Sequence, residues 1–266
     1  MRLRGVSFSY PDEKHQDRSG RVPLIKYCLL TGASRGIGHA TVKVLQREGW
    51  RVLTVSRQPF SDECRWPNAR ESHIQADLAD LSAIPALAAD VRSRLQDGEL
   101  AALVNNAGIS PKGPDGSRLG VALSEAEVWT RVMNVNLVSI SLLVRELLPE
   151  LTKAKASIVN VTSIAGSRVH PFAGVAYAAS KAGLAALTRE LAHELGPIGI
   201  RSNAISPGEI ATSILSPGTD GLVQREVPLQ RLGTTEEVAR TIQFLCSDAS
   251  SYINGAEIHI NGGQHV

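Results

Sequence analysis

From residue 24 onward, short apolar runs alternate with longer stretches of helical period. The runs fall at 24–30, 51–56, 72–76, 100–105, 157–162, 200–205 and 256–260. The fourth is apolar from Leu100 through Val104, the pattern of a strand covered on both faces. The last, Ala256-Glu257-Ile258-His259-Ile260, alternates instead and predicts a strand at a sheet edge. Between the first two runs, Ile37, Ala40 and Val44 recur at helical spacing, and Leu184, Leu187, Leu191 and Leu195 do so within 177–196. Strand–helix alternation over the whole length predicts an α/β fold, a parallel sheet with helices on both faces. No repeat or linker interrupts it, so 24–266 reads as a single domain. Residues 1–23 differ: they are polar, contain Pro11, Gly20 and Pro23, and have no sustained period. They offer too little apolar surface to offset ordering entropy and read as a flexible N-terminal extension.

Composition narrows the class. Of 266 residues, 43% are hydrophobic and 20% charged, enough apolar material for a sizeable core. Lys and Arg total 28 against 26 Asp and Glu, and a net +2 is no footprint for nucleic acid or a membrane surface. No apolar run approaches the roughly 18 residues that span a bilayer. Cys28, Cys64 and Cys246 lie far apart, so neither a zinc site nor a disulfide framework is suggested, and a reducing cytoplasm fits. The histidines, His170 among them, show no metal spacing and read as surface or loop residues. Segment 209–230, with Pro217, Gly218 and Gly221, reads as a mobile lid.

The first strand ends in Thr31-Gly32-Ala33-Ser34-Arg35-Gly36-Ile37-Gly38, and a helix follows at once. Glycines here permit a tight turn, close approach of backbone to a pyrophosphate, and close packing of helix on strand. The helix N-terminus offers unpaired N–H groups and a partial positive charge to phosphates. The spacing is not GxGxxG, and no Lys-Ser/Thr pair follows to make a P-loop. A purely structural turn is the alternative. NAD sites place an acid about 20 residues beyond the glycines. Here Ser56 and Arg57 close the second strand, Arg57 standing 19 positions after Gly38. Arg57 and Arg35 would clamp a ribose 2′-phosphate that a carboxylate would repel, which favours NADP(H) over NAD(H).

Tyr177 and Lys181 stand four apart in a helical segment, on one face and one turn apart. A tyrosine titrates near 10. A neighbouring ammonium would stabilise its phenolate and bring it towards the working range of a general acid/base. Ser163 ends a preceding apolar strand, where its hydroxyl could bond a carbonyl oxygen as charge develops. Asn136 sits in an otherwise apolar helical stretch and must find a partner in water or backbone.

Taken together and in this order, the glycine turn at 31–38, Asn105-Asn106-Ala107-Gly108, Asn136, Ser163, Tyr177-x-x-x-Lys181 and Pro207-Gly208 followed by Thr212 resemble the short-chain dehydrogenase/reductase family over essentially all of 24–266. The resemblance implies a three-layer, Rossmann-like, doubly wound sheet of seven parallel strands. It also implies reversible hydride transfer between a nicotinamide and a small carbonyl or alcohol substrate, in a homotetramer built on the helices around 134–151 and 177–196. By the same resemblance Tyr177 exchanges the proton and Ser163 orients the substrate oxygen. Lys181 binds the nicotinamide ribose and lowers the tyrosine pKa, and Asn136 holds a relay water. Asp77 and Leu78 would contact adenine, Asn105 to Gly108 would line the adenosine side, and Pro207 to Thr212, including Gly208 and Ile210, would close over the carboxamide.

The closest-looking subgroup is the 3-oxoacyl carrier-protein reductases, which dock an acidic carrier on basic residues. Lys153 and Lys155 could supply such a contact, but Ile198 stands where that subgroup often has arginine. The interval from Ser163 to Tyr177 is also one residue longer than the family's commonest, implying an enlarged loop. Two alternatives stay open: an NAD-dependent dehydrogenase of a sugar, polyol or vitamin-type alcohol, and a silent cofactor-binding sensor or scaffold.

Overall fold

Strands β1 (Lys26–Thr31), β2 (Arg51–Ser56), β3 (His73–Gln75), β4 (Glu99–Asn105), β5 (Ser157–Val161), β6 (Arg201–Pro207) and β7 (Glu257–Ile260) pair in parallel in the order β3-β2-β1-β4-β5-β6-β7. This computed structural model describes residues 24–60, 69–113, 115–212, 215–216 and 218–266. The extension at 1–23 and Cys64 lie outside the described residues. Each of the seven apolar runs becomes a strand within two residues of its expected bounds. The alternating run, β7, is an edge strand, half-buried along its length.

The two-residue period of a strand sends neighbouring side chains to opposite faces. In β1, Tyr27 and Leu29 join one core while Cys28 and Leu30 join the other. The first core is closed by α2 (Ile84–Arg94), α4 (Ser139–Glu146), α5 (Leu148–Ala154) and α6 (Val175–Leu195). The second is closed by α1 (Gly36–Arg47) and α8 (Thr235–Cys246), which also pack on each other. The sheet therefore has helices on both faces, as a doubly wound fold requires. Among the described residues no single helix is long and apolar enough to cross a membrane.

Three features place side chains at the carboxyl ends of the strands. The chain reverses direction between β1 and β4, opening a crevice at the switch point where such folds bind ligands. Helix α3 (Ala126–Met133) runs into α4 through one wide π turn, Asn134–Val138, a feature frequent at functional sites. A buried polar chain crosses the first core. Asn105 Nδ2 donates to Asn160 Oδ1 at 2.8 Å, Asn160 Nδ2 to Thr188 Oγ1 at 2.9 Å, and Thr188 Oγ1 to the Leu184 carbonyl at 2.8 Å. It ties β4 and β5 to α6, with each donor satisfied where an orphan would be costly.

The segment read as a lid carries a helix, α7 (Thr219–Glu226), anchored by buried Leu222 and Val223. Pro217 lies outside the described residues. Cys28 and Cys246, distant in sequence, meet in the second core as free thiols; burial and the neighbouring sulfur push Cys28 well above the usual thiol range.

Candidate active site

The glycine turn links β1 to α1 at the switch point. Gly32 has φ +73° and Gly36 φ +57°, conformations that suit glycine. A Cβ on Gly32 would stand 2.7 Å from Ala107 Cα, and one on Gly38 would overlap the Gly32 carbonyl and lie 2.6 Å from Asn106 Nδ2. The turn is laced to the Asn-Asn-Ala-Gly loop. Asn106 Nδ2 donates to the carbonyls of Thr31 (3.1 Å) and Gly32 (2.8 Å), while Thr31 Oγ1 accepts from the main-chain N–H of Asn106 and Ala107, each at 3.1 Å. Arg35 occupies the N-cap of α1 without a side-chain cap, so the first N–H groups of a twelve-residue helix keep their donors for another acceptor. That cradle, which a Cβ would fill, fits the pyrophosphate of a dinucleotide.

The loop after β6 reaches back to the same turn. A Cβ on Gly36 would lie 3.4 Å from Thr212 Cγ2, which places Thr212 beside the glycines. Pro207 and Ile210 are buried, and Gly208 is pressed against Asn261 Cβ at 2.6 Å from where its own Cβ would stand. Ser34, Arg35 and Arg57 are exposed, and neither guanidinium has an ion pair among the described residues. They sit at adjacent strand ends, since Thr31 pairs with Val55 and the Gly32 N–H donates to the Val55 carbonyl at 2.8 Å.

Asn136 is fully buried in the π turn. Its Nδ2 donates to the Ile109 carbonyl (3.0 Å) and to Ser180 Oγ (3.0 Å), and its Oδ1 accepts from the Ile109 N–H at 2.9 Å. The partner expected for this amide is thus largely backbone. Gly108 lets the groups converge, because its Cβ would stand 3.3 Å from Lys181 Nζ and 3.6 Å from Asn136 Oδ1. Ser163 follows β5, with Oγ accepting from the Ala165 N–H at 3.2 Å. Gly166, in the same turn, packs on α6 at Lys181 and Ala182. All four residues of the expected constellation therefore gather at one edge of the sheet.

Their electrostatics depart from expectation. Lys181 is 3% exposed, its Nζ donates to the Val161 carbonyl at 2.6 Å, and burial lowers its pKa to about 8. It lies 5.7 Å from the centre of the Tyr177 ring. The Tyr177 phenol is raised above its usual value, not lowered: burial dominates, a hydrogen bond with Ser163 opposes, and the Glu209 carboxylate adds to the rise. Lys181 is not among the causes of this shift; its Nζ donates to main chain.

Several residues expected on the cofactor side turn their side chains elsewhere. Asn105 is 1% exposed and its Nδ2 donates into the buried polar chain, while its Oδ1 has no partner among the described residues. Ser56 is buried and donates to the Gln58 carbonyl at 2.9 Å, closing its own turn. Leu78 is packed in the first core, and Asp77 bonds the Ala79 N–H and pairs with Arg131 at 3.3 Å. Lys153 and Lys155 precede β5, whereas Ser163 follows it; Lys153 pairs with Glu99, and Lys155 lines a cleft with Trp50 and Arg201. They stand at the amino end of the sheet and cannot dock a carrier at the Tyr177 mouth.

The structure adds a pair the sequence reading left out. His170, in the enlarged loop, binds Glu209, just after Pro207-Gly208, with Nε2 to Oε1 at 2.6 Å. The signal was present as a carboxylate inserted directly behind the Pro-Gly turn, but only the fold brings the two loops together.

A parallel seven-stranded sheet with a glycine cradle and a Ser-Tyr-Lys-Asn cluster at its carboxyl edge defines a dinucleotide-dependent oxidoreductase. A family model described as enoyl-(acyl carrier protein) reductase matches residues 32–265. The chain belongs to the short-chain dehydrogenase/reductase family and is an NAD(P)-dependent oxidoreductase. It is 56% identical over 242 residues to Protein FixR of Bradyrhizobium diazoefficiens, covering 91% of this chain and 87% of that one. It is 34% identical over 254 residues to the 3-oxoacyl-(acyl-carrier-protein) reductase FabG of Staphylococcus aureus, covering 91% and 99%. Among solved structures it resembles an oxidoreductase of the same family from Brucella ovis in complex with a partially ordered NAD. That match has 52% identity, a TM-score of 0.77, and covers 90% of this chain and 100% of the other.

Proposed function

We propose that this protein is an NADP(H)-dependent reductase of a small carbonyl compound, with Tyr177 as proton donor, Ser163 and Lys181 as its companions and Asn136 as a relay residue. The nicotinamide, when bound, supplies the hydride. Tyr177 holds the proton that goes to the substrate oxygen. Burial raises its pKa, so the phenol is the proton-bearing form, as a donor to the carbonyl oxygen in reduction requires. Ser163 Oγ, already within reach of the phenol, orients the same oxygen. Lys181 has one N–H committed to Val161 and two left for the nicotinamide ribose hydroxyls. Asn136 fixes the Ile109 main chain beside Lys181 and so shapes the water path to it. Gly32, Gly36, Gly38 and the uncapped start of α1 hold the pyrophosphate. Arg35 and Arg57 take the 2′-phosphate, and Ala107, Gly108, Pro207, Gly208, Ile210 and Thr212 enclose the rest.

The observation carrying this reading is the convergence of Lys181 Nζ and Asn136 Oδ1 on Gly108 beside the glycine turn. A 3-oxoacyl thioester is one substrate to test, in view of the FabG relative, though the basic dock proposed at Lys153 and Lys155 does not support a carrier. Initial rates with NADPH and NADH on small ketones and acetoacetyl thioesters test both points. Reduction driven by NADPH supports the reading; equal or better efficiency with NADH removes the roles of Arg35 and Arg57. We further infer a cytoplasmic homotetramer. The cysteine usage supports the compartment, and exposed Ala182 and Ala186 on α6 suit close approach of a second helix.

A further inference from the structure

A largely enclosed carboxylate stands directly behind the Pro207-Gly208 turn. Glu209 is only 9% exposed at its side chain. Its Oε1 accepts a hydrogen bond from His170 Nε2, and the tautomer follows from the other ring nitrogen: His170 Nδ1 accepts the main-chain N–H of Phe172 at 3.2 Å. An imidazole accepting at Nδ1 carries its proton on Nε2 and is neutral. The pair is therefore a histidine whose Nε2–H steers the carboxylate. Lys112, the nearby cation, donates to the Phe172 carbonyl and to Ser216 Oγ at 3.2 Å and forms no ion pair with Glu209. Glu209 Oε2 has no hydrogen-bond partner among the described residues. Besides the His170 N–H, only the more distant charge of Lys112 acts on this enclosed carboxylate, so Oε2 is open to a further donor.

The placement says where that donor comes from. Glu209 lies two residues past the end of β6, and His170 lies in the segment between Ser163 and Tyr177, so the pair joins the loop behind the Pro-Gly turn to the loop that connects those two hydroxyls. The Tyr177 phenol senses the Glu209 charge.

We propose that Glu209, oriented by His170, is a specificity-determining residue that accepts a hydrogen bond from a hydroxyl or ammonium group of the substrate close to the reacting carbonyl. The substrates favoured are thus hydroxy- or aminocarbonyl compounds over plain alkyl ketones. This rests on the reductase reading above and refines its substrate class.

The test compares kcat/KM for NADPH-driven reduction of cyclohexanone, 2-hydroxycyclohexanone and an aminoketone such as 3-aminobutan-2-one with its parent butan-2-one. Sites built to bond a substrate hydroxyl reject the analogue lacking it strongly. The wild type is expected to prefer a donor-bearing ketone by about 100-fold or more. Glu209→Gln keeps the shape, removes the charge, and should cut that preference about tenfold, read as the ratio of donor-bearing to plain ketone within each variant so that any common change in Tyr177 or cofactor binding cancels. His170→Gln should move the ratio in the same direction by a smaller factor. A larger preference for the aminoketone identifies an ammonium partner, and a larger one for the hydroxyketone identifies a hydroxyl. A preference near unity in the wild type, or one that neither variant changes, overturns the assignment while plain-ketone turnover leaves the reductase reading standing. Absence of turnover on every ketone overturns both.

Discussion

Lys181 Nζ donates to the Val161 carbonyl at 2.6 Å, so the ammonium is anchored to the last residue of β5 and not to the phenol four residues before it. The bond fixes the amine in a buried position, and that burial, outweighing the bond, disfavours its charge.

That burial has a cost in stability with a definite pH signature. Lowering a lysine from 10.5 to about 8 corresponds to roughly 3 kcal/mol. Below pH 8 both folded and unfolded chains carry the proton, and the full cost applies. Between 8 and 10.5 the folded chain has already lost it, so stability rises with pH; above 10.5 the cost is gone. Lys181→Met should therefore be more stable than wild type at pH 7 by about 1–2 kcal/mol, after the lost bond to Val161 is subtracted. The advantage should shrink by pH 10 in urea denaturation. A gap that stays constant from pH 7 to 10 would contradict the argument. The same variant should lose turnover.

Tyr177→Phe removes only the hydroxyl. Turnover should fall at least a thousandfold, roughly the upper part of the range for general acid catalysis. NADPH affinity by fluorescence titration should change less than about twofold. Retention of most of kcat would show that another group delivers the proton.

Arg35 and Arg57 are exposed and free of ion pairs among the described residues, so replacing them breaks no ion pair there. Arg35→Ala and Arg57→Ala should each weaken NADPH binding by about tenfold, the value of one charge-assisted bond, and leave NADH nearly unaltered. Calorimetric titration with both nucleotides decides it; parallel losses for the two cofactors would assign the arginines to some other task.

Asn136→Ala strips partners from the Ile109 N–H and carbonyl and from Ser180 at once. A loss of about 2–4 kcal/mol in denaturant unfolding is expected, since buried orphans cost about 1–3 kcal/mol each and some would find water. Less than 1 kcal/mol would mean that the loop at 108–110 readjusts freely.

Much of this was legible in the chain because strands report themselves through short apolar runs and turns through glycine. The seven strands and the residues Asn136, Ser163, Tyr177 and Lys181 needed only local pattern and order. What stayed hidden is whatever depends on where a side chain points after folding. Asn105, the last residue of β4, and Leu78 turn their side chains into the core, Lys153 and Lys155 precede β5 instead of following it, and the Lys181 ammonium donates to a main-chain carbonyl. The His170–Glu209 pair was invisible for the opposite reason, since 39 residues separate two groups that meet at 2.6 Å.

The amide chain from Asn105 through Asn160 to Thr188 reaches α6 two turns beyond Lys181. Sliding that helix along its axis, or rolling it, would strand each of these groups in a dry interior. The aim of the phenol and the amine is thus dictated from a distance by chemistry that never meets a ligand. Trading any one of the three alone leaves its neighbour unsatisfied, so they can be exchanged only as a set.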